Sequence, residues 1–232
     1  MKKNIVLLFC FLLLLSGCSF NVPSIQEVFF KHLFVETENG KTAERLSVFL
    51  RFLDEDGRED YNSIILIHDE SGMTWTLDRL NSAFFVSEDE DTKKNHKHIW
   101  AGSNKIAVPQ GKIPQGTYSV IVEDSAGNRT IKKSVISSEN IPDTFPFKFI
   151  LNNEDWQIHT EDFSVYKNYS LVLLAADRQP IFVHKISFSS DNVLFGNLHE
   201  LKENYPDARY VQCVGENSNG TIAYLTKFYN LY

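Results

Sequence analysis

The sequence predicts a mainly β protein: two tandem β-sandwiches, the second with one short helix, behind an N-terminal targeting segment. Three observations carry that expectation. Short runs rich in Val, Ile, Phe and Tyr recur along the chain with Gly, Asn, Asp and Pro between them, the spacing of strands joined by turns. Aromatic residues are 13% of the chain, with 18 Phe, which suits the filled interior of stacked sheets. The third is the contrast between an apolar run at the N-terminus and a polar remainder.

Lys2 and Lys3 precede the apolar run Ile5 to Leu15, a basic region before a core about eleven residues long, as in a signal peptide. A bilayer span needs roughly 20 apolar residues, so this run is too short to cross. It ends in Leu15-Ser16-Gly17-Cys18, which resembles the lipobox of bacterial lipoproteins. That resemblance implies cleavage before Cys18, a diacylglycerol on its thiol and acylation of the new amino group. Residues 1–17 are then the signal peptide and 18–24 a lipidated tether, and the chain is anchored to a membrane instead of spanning it. Several acyl chains hold far better than one, because each buried methylene adds about 0.8 kcal/mol. Ser19 stands after the lipid site where Asp would signal retention, and by resemblance to enteric lipoproteins that favours the outer membrane over the inner one. The competing reading is a plain cleaved signal peptide with a chance Gly-Cys.

Cleavage removes Cys10 and lipid consumes Cys18, which leaves Cys213 as a free thiol with no intramolecular disulfide partner. Cys213 lies in the strand-like run Tyr210 to Val214, where a buried small hydrophobe is expected. The net charge of −7 excludes nucleic acid as a partner class. Ser19 to Ser24, with Pro23 favouring extended chain, gives a tether of roughly 3.3 Å per residue, which keeps the first domain near the membrane.

The first sandwich is expected over 25–137. Val28 to Val35, Leu46 to Leu53 and Asn62 to His68 are strands; Trp75 and Leu77 alternate with Thr in a fourth; Ile99 to Val108 follows a charged loop. Tyr118, Val120 and Val122 share one face of the next strand, Asp124 to Asn128 forms a turn, and Thr130 to Ile136 returns beside it. The pattern Pro114-x-Gly116-x-Tyr118-x-Val120-x-Val122-x-Asp124-x-x-Gly127-Asn128 resembles the last hairpin of bacterial immunoglobulin-like and fibronectin-type-III-like domains. That resemblance implies that Tyr118 is the tyrosine-corner residue. The stretch DEDGREDYNSIILIHDESGMTWTL is also similar to repeated sandwich modules in spirochaete lipoproteins, a likeness that names no activity.

Residues 138–146 hold Ser, Asn, Asp and two prolines and are the expected linker. The second domain, 147–232, has expected strands at Phe147 to Leu151, Trp156 to His159, Ser170 to Ala176, Ile181 to Phe188, Arg209 to Val214 and Thr221 to Phe228. Asn197 with Glu200 three residues on is a capping box that opens a short helix, which Pro206 closes. The stretch from Leu201 to Leu225, with Asn219-Gly220 at its turn, resembles the crossover and final hairpin of an immunoglobulin-like domain. It departs from that pattern in two ways: Tyr210 lies three residues before Cys213 instead of two, and the earlier partner Cys is missing.

Two constellations could hold a cation. Asp54-Glu55-Asp56-Gly57-Arg58-Glu59-Asp60 places carboxylates around a glycine, the kind of flexible loop from which calcium takes six to eight oxygens. Aligned as an EF-hand on Gly57, it sets Asp54, Asp56 and Asp60 at ligand positions, while Phe52 and Ser63 fall where carboxylates are required. The favoured reading of the stretch is an acidic turn with Gly57 at positive φ. Glu88 to Asp91 followed by Lys93, Lys94, His96, Lys97 and His98 offers two imidazoles, fewer than a structural zinc site uses, and reads as a solvated loop or contact surface.

Enzyme signatures are not found: His199-Glu200 lacks the second His of a zinc protease motif, and no nucleophile elbow, P-loop or dinucleotide fingerprint occurs. His68, Asp69 and Ser71 are close in sequence, which is poor evidence for a triad. Trp75, Trp100 and Trp156 could stack on sugar, though core packing is the commoner use. The expectation is a non-enzymatic protein-binding or adhesion module on a lipid anchor at Cys18, with no cofactor beyond that lipid; Asp54, Asp56 and Asp60 are a candidate weak calcium site, second to the reading as a plain acidic turn. The alternatives are a periplasm-facing assembly lipoprotein and, third, a hydrolase with an interdomain site.

Overall fold

The computed structural model describes residues 21–88, 97–137, 144–152, 154–160, 166–186 and 193–232. The expected signal peptide, Cys18, His96 and most of the expected linker lie outside the described residues. Within them the protein is mainly β with one short α-helix, and no helix is long and apolar enough to cross a membrane.

The chain divides into two compact units, and three strands contribute to both: β1 (Ser24–Glu36), β2 (Thr42–Leu53) and β6 (Lys97–Ile106). The first unit takes the described residues up to Phe29, Val48–Ser103 and Pro114–Ser137. One of its sheets runs β1-β2-β6-β5, with β5 at Ala83–Glu88. The other runs β4-β3-β7-β8, from β3 (Tyr61–His68), β4 (Thr74–Asp78), β7 (Gly116–Asp124) and β8 (Arg129–Ile136). In strand letters these are A-B-E-D and C′-C-F-G, the two sheets of a β-sandwich.

Alternation explains the second sheet. Ile64 and Leu66 of β3 stand opposite Val122 and Val120 of β7, and all four are fully buried. Tyr118 is buried on the same face, as expected, and its hydroxyl donates to the Pro114 carbonyl four residues upstream, the bond that defines a tyrosine corner. The β7–β8 turn closes where predicted: the Asp124 carboxylate accepts from the backbone N–H of Asn128 (2.7 Å) and from its side-chain amide (2.8 Å).

β5 lies where the sequence suggested only the approach to a charged loop. Ala-Phe-Phe-Val-Ser-Glu has no period-two pattern and runs straight into acids. Its strand identity comes from pairing with β6, from Ala83 opposite Gly102 to Glu88 opposite Lys97.

The second unit takes Phe30–Ser47, Asn104–Ile113 and residues from Ser138 onward. One sheet is β13-β10-β9, from β9 (Phe147–Leu151), β10 (Asp155–Thr160) and β13 (Val193–Asn197). The other holds β12 (Pro180–Ile186), β11 (Tyr166–Leu174), β14 (Tyr210–Asn217) and β15 (Ile222–Leu225), with β16 (Tyr229–Asn230) on β14. These are again A-B-E against C′-C-F-G. The later half of β1 adds to β15 in parallel, His32 opposite Ile222 through Val35 opposite Leu225. It thereby places Phe34 in the core, stacked on Tyr224 with ring centroids 4.8 Å apart.

Trp156, Ile158, Leu171, Leu173, Val211 and Cys213 form the centre of that core. Gly196 on β13 is required by it, since an added Cβ would sit 2.4 Å from the Trp156 ring. Helix α1 (Leu198–Asn204) begins at the expected cap: the Asn197 side-chain oxygen accepts from the N–H of His199 at 2.7 Å and of Glu200 at 3.4 Å.

Candidate functional site

The acidic turn between β2 and β3 is built by its own backbone. The Asp54 carbonyl accepts from Gly57 N–H, and the Gly57 carbonyl accepts from Asp60 N–H. Gly57 has φ +85°, so the turn needs a residue without Cβ there, as the sequence suggested. A 3-10 turn over Arg58–Asp60 then leads into β3, and the Asp60 carbonyl is tied to Ser125 N–H (2.6 Å) and Oγ (2.9 Å).

This geometry brings Asp54, Asp56 and Asp60 together, with one carboxylate oxygen from each inside a 4.8 Å span. Asp54 Oδ1 accepts from the Asp56 N–H at 2.9 Å, whereas its Oδ2 is buried with no hydrogen-bond partner. Burial raises the Asp54 pKa, the Asp56 N–H opposes that shift, and the nearby charges of Asp60, Asp56 and Asp124 add to it. A shared cation would relieve this repulsion, so the three carboxylates could hold a hard divalent ion. The turn is not an EF-hand: Phe52 is fully buried in the core, and Ser63 is a buried residue of β3.

His68 and Ser71 do come together, at 2.8 Å between Nδ1 and Oγ, but Asp69 does not join them. His68 Nδ1 also accepts from the Ser71 N–H, and Nε2 lies 2.9 Å from the Gln115 carbonyl, which assigns the proton to Nε2. Asp69 instead accepts from Ser119 Oγ (2.7 Å) and Lys133 Nζ (2.9 Å). The buried His68 ring packs beside Tyr118 and holds the β3–β4 turn.

Cys213 is fully buried, and burial raises its thiol well above the usual range, which leaves it protonated and unreactive. Trp156 is a core residue; Trp100 stacks on Phe29 with Arg51 over its ring, and Trp75 lies near Tyr118.

A feature that sequence reasoning missed lies on the outward face of sheet β4-β3-β7-β8. Thr76, Ile65, Ile121 and Ile131 stand in one cross-strand row, with Ile121 itself buried; Thr74, Ile67, Ser119 and Lys133 stand in the next, and Thr117 and Val135 in the one beyond. Ile131 is 61% exposed and Val135 66%. The alternation Thr-Ile-Lys-Lys-Ser-Val-Ile of β8 carries the signal, but it does not say which face meets water. The chain matches no protein-family model and no curated protein.

Proposed function

We propose that this protein is a membrane-anchored bacterial lipoprotein that acts as a non-enzymatic protein-binding or adhesion module. The observation that carries the reading is the outward face of β4-β3-β7-β8, where Ile131 and Val135 of β8 stand in water and Ile65 and Ile67 of β3 are half-buried. Apolar side chains left in water on a sheet face gain free energy when a partner covers them. The lipid on Cys18 would keep that surface at the envelope, with the outer membrane favoured, and calcium on Asp54, Asp56 and Asp60 would stiffen the loop that joins β2 to β3.

The test is protease treatment of intact cells, with a periplasmic marker to control for leakage and a Cys18→Ala variant to test anchoring. Loss of the protein with the marker intact supports adhesion. Full protection moves the partner search to the periplasm, where a structural or assembly role is the alternative.

A further inference from the structure

We infer that the pairing of β1 with β15 is a shear clamp, which carries force applied between the N-terminal side of the chain and the residues after β15 and keeps it off the strands between them. The inference goes beyond the binding reading and does not depend on what the module binds.

Topology sets the load path. The later half of β1 lies parallel to β15, from His32 opposite Ile222 to Val35 opposite Leu225. Tension from the N-terminal side pulls β1 backward along its own axis, while tension from the C-terminal side pulls β15 forward along that axis. In a parallel pair these pulls are opposed, so the strands are sheared past each other and the evenly spaced bonds between them share the load. An antiparallel pair loaded in the same way would open from one end, one bond at a time. Force therefore passes from β1 straight into β15, across a sequence gap that measures 191 residues between Glu36 and Lys227. Strands β2 to β14 and the helix all lie inside that gap, so no tension reaches them along the chain until the clamp parts.

Side chains of the second unit oppose the slide. Lys31 Nζ lies 2.7 Å from Glu216 Oε1, and Glu36 Oε2 accepts from the Lys227 N–H at 3.2 Å. Between them Phe34 is buried and stacked on Tyr224 at 4.8 Å, with Phe145 edge-on to the same Tyr224 ring. The His32 N–H donates to the Thr221 carbonyl at 2.8 Å. A slip of one residue would turn Phe34 to the other face of the sheet. A slip of two would carry it about 6.6 Å along the strand, away from Tyr224. Neither neighbouring register restores these contacts, so they fail together, and the rate of forced unfolding is set by that one barrier.

The test is single-molecule force spectroscopy on the chain from residue 18, with Cys18→Ser and Asn219→Cys and a tag at each end. Asn219 is exposed in the turn between β14 and β15, and Cys213 is fully buried, so the introduced thiol takes the third handle. Pulling the two tags apart shears β1 against β15. Pulling the N-terminal tag against the thiol draws the two strands apart from the end where their pairing begins. One folded molecule serves both pulls, and the end-to-end pull is repeated without Asn219→Cys.

End to end, the chain should not lengthen, apart from the residues after Leu225, until the clamp breaks; up to roughly 650 Å of chain is then released. The breaking force should be about twofold or more above that of the thiol pull, because the paired residues share the load in the first and meet it in turn in the second. Lengthening by part of either unit before the highest force peak, or equal breaking forces in the two pulls, overturns the inference.

Discussion

Replacing Tyr118 by Phe removes one oxygen and nothing else, which makes it a clean probe of the first unit. Its hydroxyl donates to the Pro114 carbonyl, and the ring, fully buried, keeps its contacts with His68 and Trp75. The bond itself is worth about 1 kcal/mol net, and the half-buried carbonyl left behind raises the loss to about 1–2 kcal/mol. Amide hydrogen exchange reads this unit by unit. Amides in β3 and β7 should exchange about 5 to 30 times faster through global opening, while those in β14 keep their wild-type rates. A change below about 0.3 kcal/mol in β7 would refute the argument that the corner bond holds the strand, and an equal change in β14 would refute its confinement to the first unit.

Asp54→Asn should stabilise the first unit at pH 7 in chelator by roughly a few tenths of a kcal/mol, since it removes a repelled, partly exposed charge. The sign follows from the raised pKa. The folded state holds the Asp54 proton above the ordinary value of 3.8, so stability falls as pH rises from there through the folded value, and the Asn variant lacks that fall. Calcium titrated into the wild type by calorimetry should bind in the range of extracellular modules, about 0.1–1 mM, and bind more weakly to Asp54→Asn; equal binding removes Asp54 as a ligand. Cys213 should react with a thiol reagent only at the rate of unfolding, and fast reaction under native conditions would contradict its burial. Tyr229 is pushed up to about 12 by burial, with Glu36 adding to the shift, so its contribution is intact below about pH 10 and lost between pH 10 and about 12. In Tyr229→Phe the alkaline denaturation profile over that window should flatten, and an unchanged profile would show that other groups set it.

Local signals made much of the fold legible. Asp124 to Asn128 and Asn217 to Gly220 close their hairpins through side-chain oxygens of the turn residues themselves, and Asn197 caps α1, so a few adjacent residues decide each of these features. Tyr118 was readable because the corner bond spans four residues. β5 and β13 were not, because their short runs lack period and become strands only by pairing with β6 and β10. The three carboxylates of the acidic turn could be nominated from spacing, since one glycine turn brings them together, but the stranded Oδ2 of Asp54 depends on the packing around it.

By itself the sequence determined the mainly β class, the turns and caps, and the Leu15-to-Cys18 motif that points to a lipid, because each is written in residues a few positions apart. Only the tertiary structure decided that β1 serves both units, with its later half parallel to β15, a pairing across nearly the whole chain. It also decided that Ile131 and Val135 face water while Ile136 is buried. A period-two pattern gives two faces and leaves open which of them meets solvent, and only the sheet packed against the other face resolves that choice.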